Sequence, residues 1–298
     1  MKEKIGIIGL GRMGMPAAKK LLKGGYPVIG YARRQEVIEE LKSIGGEAAQ
    51  DYKEVAQKAK TVIVFVLNDQ QVIDVVTSEN GLLSRSSKDS TIICMSTINR
   101  ENLEWVAKEC QKRDVGFVDS PCIGGPPRIE KGTLILIAAA PRELLEKCRP
   151  ILELLGEIIH VGETPGMGQA VKHCNQLMVG INLAATMETL TMAKRGGLDP
   201  RIVCEVIGKG VVGSDLFRII SSSVLDLKSS GGGLGQMCKD MDIVINTSKR
   251  LKLPLLVANS AYQYFIAAQS LGLEDQDNSQ LIKVVERMSD PNGLKSNN

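Results

Sequence analysis

Lys4-Ile5-Gly6-Ile7-Ile8-Gly9-Leu10-Gly11-Arg12-Met13-Gly14-Met15-Pro16 begins as an apolar run, breaks into glycines and continues as a helix-like pattern through Leu22. The order is strand, tight turn, helix. In a βα unit of this kind Gly9 permits the turn, Gly11 lets a pyrophosphate approach the backbone, and Gly14 lets helix pack on strand. Leu10, Arg12 and Met13 fill the turn, and its free N–H groups and the helix dipole face the phosphates. The stretch predicts dinucleotide binding, with a plain βα turn as the alternative.

Outward from that unit, Pro27–Tyr31, Thr61–Leu67, Thr91–Met95, Gly116–Asp119, Leu134–Ala138 and Glu157–Val161 read as further strands separated by helical patterns. Such alternation predicts a doubly wound, mostly parallel sheet over residues 1–163. From Gln169 to Arg195 the chain is helical and apolar on nearly every side, at Val171, Leu177, Met178, Ile181, Leu190 and Met192, the signature of a buried helix. Residues 164–195 are therefore assigned to a long interdomain helix closed by Gly196-Gly197. Residues 196–298 carry helix periodicity around Ile202–Ile207, Asp215–Leu225, Asp240–Arg250 and Val257–Leu271, so an all-helical second domain is expected. Ser221-Ser222-Ser223 and Ser229-Ser230-Gly231-Gly232-Gly233 read as loops, and the tail after Pro291 as disordered.

The chain has 298 residues, of which 43% are hydrophobic, enough for two domain cores. Its 37 basic and 34 acidic residues leave +3, spread along the sequence, which provides no footprint for nucleic acid or an anionic membrane. No apolar run approaches the roughly 18 residues of a membrane span, and the polar start leads straight into the first strand, so a cytoplasmic location is expected. Seven scattered cysteines without paired spacing suit reduced thiols and no metal site. With only His160 and His173, zinc-dependent or Ser/His/Asp chemistry has few candidate residues.

About 20 residues beyond a glycine turn, an acidic side chain usually marks a preference for NAD. Here Ala32, Arg33 and Arg34 occupy that strand end. Two arginines can hold a 2′-phosphate through charge-assisted hydrogen bonds, and no nearby carboxylate repels it, so NADP (NADPH) is the expected cofactor. Two solvated arginines at a loop tip are the alternative.

Four further stretches accompany the glycine turn: Met95-Ser96-Thr97-Ile98; Val118-Asp119-Ser120-Pro121-Cys122-Ile123-Gly124-Gly125 with Gly132-Thr133-Leu134; Gly166-Met167-Gly168-Gln169-Ala170-Val171-Lys172-His173-Cys174-Asn175; and Lys239-Asp240. With these five ordered motifs, essentially the whole chain resembles the β-hydroxyacid dehydrogenase family. That family includes 3-hydroxyisobutyrate dehydrogenases and tartronate-semialdehyde, glyoxylate and succinic-semialdehyde reductases. The resemblance implies that Lys172 is the catalytic acid/base, that Asn175 orients substrate, and that Gly124-Gly125 holds the substrate's acid group. It also implies that Ser96 and Thr97 lie near nicotinamide and substrate, and that Lys239, with Asp242 a turn later, reaches toward the cofactor and active site. Leu67 and Asn68 end a strand in a position analogous to Ser96-Thr97 and are expected to line the cofactor.

The residues make the lysine assignment reasonable on their own, because an amine on an apolar helix loses hydration and can exchange a proton near working pH. Asn175, three positions on, shares its helix face, whereas His173 points about 100° away and is read as structural. One departure stands out: Ile123 replaces the serine usual before the two glycines, and Pro126-Pro127 follow them. Either the substrate carries another acid group, a bulkier apolar part or no carboxylate there, or Ile123 points into the core and the glycine amides suffice. The expected activity is NADP-dependent hydride transfer between a small 3-hydroxyacid and its semialdehyde, such as glyoxylate or succinic semialdehyde. The alternatives are a reductase of sulfonated aldehydes or imines, and a catalytically silent cofactor-binding scaffold. The apolar faces of the helical part point to a homodimer or homotetramer.

Overall fold

The computed structural model describes residues 2–289, so the expected disorder after Pro291 lies outside the described residues. The strands are β1 (Ile5–Ile8), β2 (Val28–Tyr31), β3 (Glu47–Ala48), β4 (Thr61–Val64), β5 (Thr91–Cys94), β6 (Gly116–Asp119), β7 (Cys122–Ile123), β8 (Leu134–Ala139) and β9 (Gly156–Gly162). Between them run α1 (Gly14–Lys23), α2 (Gln35–Ser43), α3 (Tyr52–Lys58), α4 (Asp69–Thr77), α5 (Arg100–Gln111), α6 (Pro126–Lys131) and α7 (Arg142–Leu155). After β9 the chain is helical: α8 (Met167–Arg195), α9 (Pro200–Lys209), α10 (Asp215–Asp226), α11 (Leu234–Arg250), α12 (Leu256–Ser270) and α13 (Ile282–Met288). Lys172 ends one compact unit and His173 begins the other, so α8 contributes to both.

In the first unit the strand order is β3-β2-β1-β4-β5-β6-β8-β7, with β9 paired to β8. Strands β1 to β6 are mutually parallel where they pair. A parallel strand covered on both faces reads as a continuous apolar run, and β1 is buried at every residue. Alternate residues serve different cores: Ile5, Ile7, Ile63, Ile93 and Val118 enter one, while Ile8, Val62, Val64, Ile92 and Phe117 enter the other. Each fully buried Ile or Val contributes about 1.5–3 kcal/mol. The sheet is thus a doubly wound core with helices on both faces.

The last strands reverse direction. Asp119 at the end of β6 faces Ala139 at the end of antiparallel β8, and β9, parallel to β8, sets Gly162 beside the same Ala139. The chain therefore re-enters α8 next to the C-terminal ends of β5 and β6, where open α/β sheets bind ligands.

In the second unit, Leu183 and Met187 of α8 pack with Ile220, Leu234, Met241, Phe265 and Leu281. Three expectations need correction. Ser221–Ser223 lie inside α10, where the Ser221 and Ser223 hydroxyls donate to the carbonyls of Phe217 and Ile219, four residues back, each at 2.7 Å. Helix α8 is not covered all round, because Val171, Met178 and Met192 are exposed in this chain. The fourth sheet strand in order, β4, stops at Val64, short of the expected Leu67. Gly196-Gly197 does close α8: Gly197 is left-handed at φ 74°, and Leu198 N–H donates to Ala193 O at 3.0 Å. Among the described residues no helix is long and apolar enough to cross a membrane.

Candidate active site

The glycine turn separates the demands of the fold from those of a ligand. Gly9 has φ 91°, and a Cβ there would stand 2.3 Å from the Phe65 carbonyl oxygen; at Gly14 it would stand 2.2 Å from Gly9 O. Both glycines are required by the turn itself. At Gly11 a Cβ would meet nothing within 4 Å. That open space before the first turn of α1 is what a pyrophosphate needs, so the residues fit a dinucleotide.

The neighbouring strand ends carry the other expected cofactor residues. Ala32 follows β2, and Arg33 and Arg34 are exposed. Arg34 pairs with Glu36 at 3.3 Å, which corrects the expectation that no carboxylate lies near, whereas no salt bridge engages Arg33 among the described residues. Beyond β4, Leu67 is exposed, and Asn68 caps α4 by accepting from Gln71 N–H at 3.0 Å. Ser96 and Thr97, beyond β5, are buried and do not cap α5, which starts at Arg100 behind Asn99.

The start of α8 is tied to these strand ends. Gln169, fully buried, donates from Nε2 to Ser96 O at 3.0 Å and to Asp119 Oδ1 at 3.0 Å, while its Oε1 accepts from Ile98 N–H at 3.1 Å. Asp119 Oδ2 accepts from the N–H groups of Gly166 at 2.8 Å and Gln169 at 3.2 Å. Burial pushes the Asp119 carboxyl up to about 6, against the lowering effect of those N–H donors. At Gly168 a Cβ would stand 2.8 Å from Asp119 Oδ2 and from Ile137 O.

One turn on from Gln169 is Lys172, 8% exposed. Burial pushes the Cys122 thiol up, while the Lys172 charge opposes that rise, so the lysine is within electrostatic reach of β7. Ile123 is half-buried and pairs with Ile135. Gly124 has φ 121°, and the Arg128 side chain packs where its Cβ would stand, with Cδ at 2.8 Å. Gly125 precedes α6, which Pro126-Pro127 begin.

In the second unit the expected residues form a polar chain. The half-buried Asn175 donates from Nδ2 to Gln176 Oε1 at 2.8 Å, and Gln176 Nε2 donates to Asp240 Oδ2 at 2.5 Å. Lys239 Nζ lies 2.9 Å from Asp240 Oδ1. Asp242 instead accepts from the Tyr262 hydroxyl, so Lys239 takes its adjacent carboxylate and not the one a turn later. His173 is buried, and His160 Nε2 lies 3.0 Å from Ala140 O.

Comparison with known proteins matches residues 4–162 to the NAD binding domain of 6-phosphogluconate dehydrogenase, and residues 166–285 to the NAD-binding domain of NADP-dependent 3-hydroxyisobutyrate dehydrogenase. The chain belongs to the β-hydroxyacid dehydrogenase family. A mitochondrial 3-hydroxyisobutyrate dehydrogenase of Mus musculus is 30% identical over 95% of this chain and 87% of its own length. The 2-(hydroxymethyl)glutarate dehydrogenase of Eubacterium barkeri is 31% identical over 96% of each. The crystal structure of a 3-hydroxyisobutyrate dehydrogenase from Salmonella typhimurium superposes with a TM-score of 0.87 at 26% identity, covering 95% of this chain and all of that one. Family members are oxidoreductases of hydroxyacids with NAD(P)-binding domains, and their substrates vary. Asp119 and Gln169 are the residues that sequence reasoning left without a role, although both stood inside quoted motifs. The signals were a carboxylate closing an apolar strand and an amide in an apolar helix.

Proposed function

We propose that this chain is an NADP-dependent 3-hydroxyacid dehydrogenase acting mainly as a reductase of a small semialdehyde, such as glyoxylate or succinic semialdehyde. The observation that carries the reading is Lys172: a buried amine one turn into a helix whose start is hydrogen-bonded to the Ser96–Ile98 loop. When bound, the reduced nicotinamide supplies the hydride. Gly9, Gly11 and Gly14 with Leu10, Arg12 and Met13 receive the pyrophosphate, and Arg33 and Arg34 receive the 2′-phosphate. Leu67, Asn68 and Thr97 line the cofactor, and Lys239 with Asp242 completes its site. Ser96, Thr97, Gly124 and Gly125 hold the aldehyde and its acid group, and Ile123 limits the space beside it. Lys172 Nζ donates a proton to the developing alkoxide oxygen, and in oxidation it accepts that proton back. Asn175 orients the substrate oxygen on the same helix face. The working form is a cytoplasmic homodimer or homotetramer.

Absorbance of NADPH with glyoxylate, succinic semialdehyde, methylmalonate semialdehyde, tartronate semialdehyde and sulfolactaldehyde tests the reading. Lys172→Ala should lower kcat about 10²–10⁴-fold with cofactor binding retained. Silence of every carboxylated aldehyde beside turnover of sulfolactaldehyde would support the second reading, a non-carboxylate substrate, which the apolar Ile123 favours.

A further inference from the structure

Helix α8 begins on borrowed hydrogen bonds. The N–H groups of Gly166, just before it, and of Gln169, in its first turn, go to Asp119, 47 and 50 residues earlier on β6, and every polar atom of the Gln169 side chain is used to join Asp119 on one side and the Ser96–Ile98 backbone on the other. Asp119 has no exposed surface, and among the described residues it takes part in no ion pair. A serine or asparagine would satisfy the two backbone N–H groups without burying a charge, and burying one is costly. The second carboxylate oxygen takes the Gln169 amide as well, so the carboxylate ties the helix start to the loop in addition to capping it. Lys172 stands three residues beyond Gln169, about 4.5 Å along the helix axis.

We propose that Asp119 and Gln169 are positioning residues for Lys172: together they hold the first turn of α8 against the Ser96–Ile98 loop, and the Asp119 charge favours the protonated amine. The inference rests on the reading of Lys172 as proton donor. Gln169 fixes distance, because lengthening either side of its bracket would shift the helix start away from the loop where substrate is held. Asp119 supplies the electrostatic part, since a negative charge near an amine makes its proton harder to remove. The other ionisable groups around them are Cys94 on β5, whose thiol burial and the Asp119 charge push far up, Cys122 on β7, which is sensitive to Lys172, and the Arg100–Glu104 pair of α5, whose side chains lie against Gly166. Neither thiol is ionised at working pH, and Arg100 Nε offsets the Glu104 carboxylate at 2.7 Å, so Asp119 is the buried anion at this turn.

Two variants separate the parts: Asp119→Asn keeps the size and removes the charge together with one acceptor, and Gln169→Met keeps the length and removes the bonds. The pH dependence of Lys172 acetylation by acetic anhydride, read by peptide mass spectrometry on the intact protein, reports the amine without requiring turnover. In Asp119→Asn the labelling midpoint should fall by at least half a pH unit. Both variants should lose about tenfold or more in kcat, with KM for the aldehyde and the NADPH dissociation constant within twofold of wild type. A midpoint that does not move in folded Asp119→Asn overturns the electrostatic role. An unchanged kcat in both variants overturns the bracket, and so does a loss of kcat that merely follows lost NADPH binding. If Asp119→Asn does not fold, Gln169→Met decides by its kcat. Undiminished turnover in Lys172→Ala would sink the proton-donor reading separately, and the labelling midpoint would still decide whether Asp119 acts on Lys172.

Discussion

Arg33 and Arg34 are adjacent in sequence but differ in what they can offer a phosphate. Arg34 is engaged by Glu36, so part of its attraction for a second anion is already spent, whereas Arg33 has no such competitor among the described residues. Arg33→Ala should reduce the NADPH to NADH ratio of kcat/KM at least tenfold, and Arg34→Ala by less than Arg33→Ala. Equal ratios in wild type and both variants would remove the 2′-phosphate from this strand end. At position 123 a restored hydroxyl offers a direct test of where that side chain points. One hydrogen bond to a charged group is worth about 1.5–3 kcal/mol. Ile123→Ser should therefore lower KM for carboxylated aldehydes about tenfold or more if the side chain faces substrate. An unchanged KM with a lowered melting temperature would put Ile123 in the core.

Among the elements, β6 and α8 carry a pH signature. Burial disfavours the charged form of Asp119 and pushes its carboxyl from the ordinary 3.8 up to about 6 in the folded protein. A group raised in this way favours folding fully below its unfolded value and loses that contribution as pH rises through the folded one. Relative to Asp119→Asn, wild type should thus lose up to roughly 3 kcal/mol of unfolding free energy between about pH 4 and 6, and then level off. Urea unfolding of the two proteins across that range measures the difference, and parallel curves would contradict the buried charge. The elements themselves were largely legible, because β1, β4 and β5 are unbroken apolar runs, α8 is a long run apolar on most sides, and α9, α10 and α11 repeat at the helical period. Strands β3 and β7, two residues each, were not, since alternation needs a longer run. The Asp119–Gln169 bracket escaped for a different reason: it joins residues 50 apart, and no local pattern encodes that distance. Arg34 and Glu36, two positions apart, form a pair that lies within local reach of the sequence.

For the whole molecule, α9 is the element that its own chain leaves unsatisfied. No residue of this amphipathic helix is buried, and Ile202, Val206, Val212 and Ile219 all stand exposed around it. Apolar patches of this kind mark surfaces that associate. The proposed homo-oligomer should therefore appear by light scattering as twice or four times 32.2 kDa. Val206→Glu with Val212→Glu should shift the mass toward one chain, and an unaltered mass would place the interface elsewhere. A different consequence follows for how this sequence can drift. Any side chain at Gly168 would strike the Asp119 carboxylate and the Ile137 carbonyl, and any change at Asp119 would strand the Gln169 amide. Positions 119, 168 and 169 therefore form one inherited unit: a double-mutant cycle between Gly168→Ala and Asp119→Asn should be strongly non-additive, and descendants should alter the three together or keep all of them.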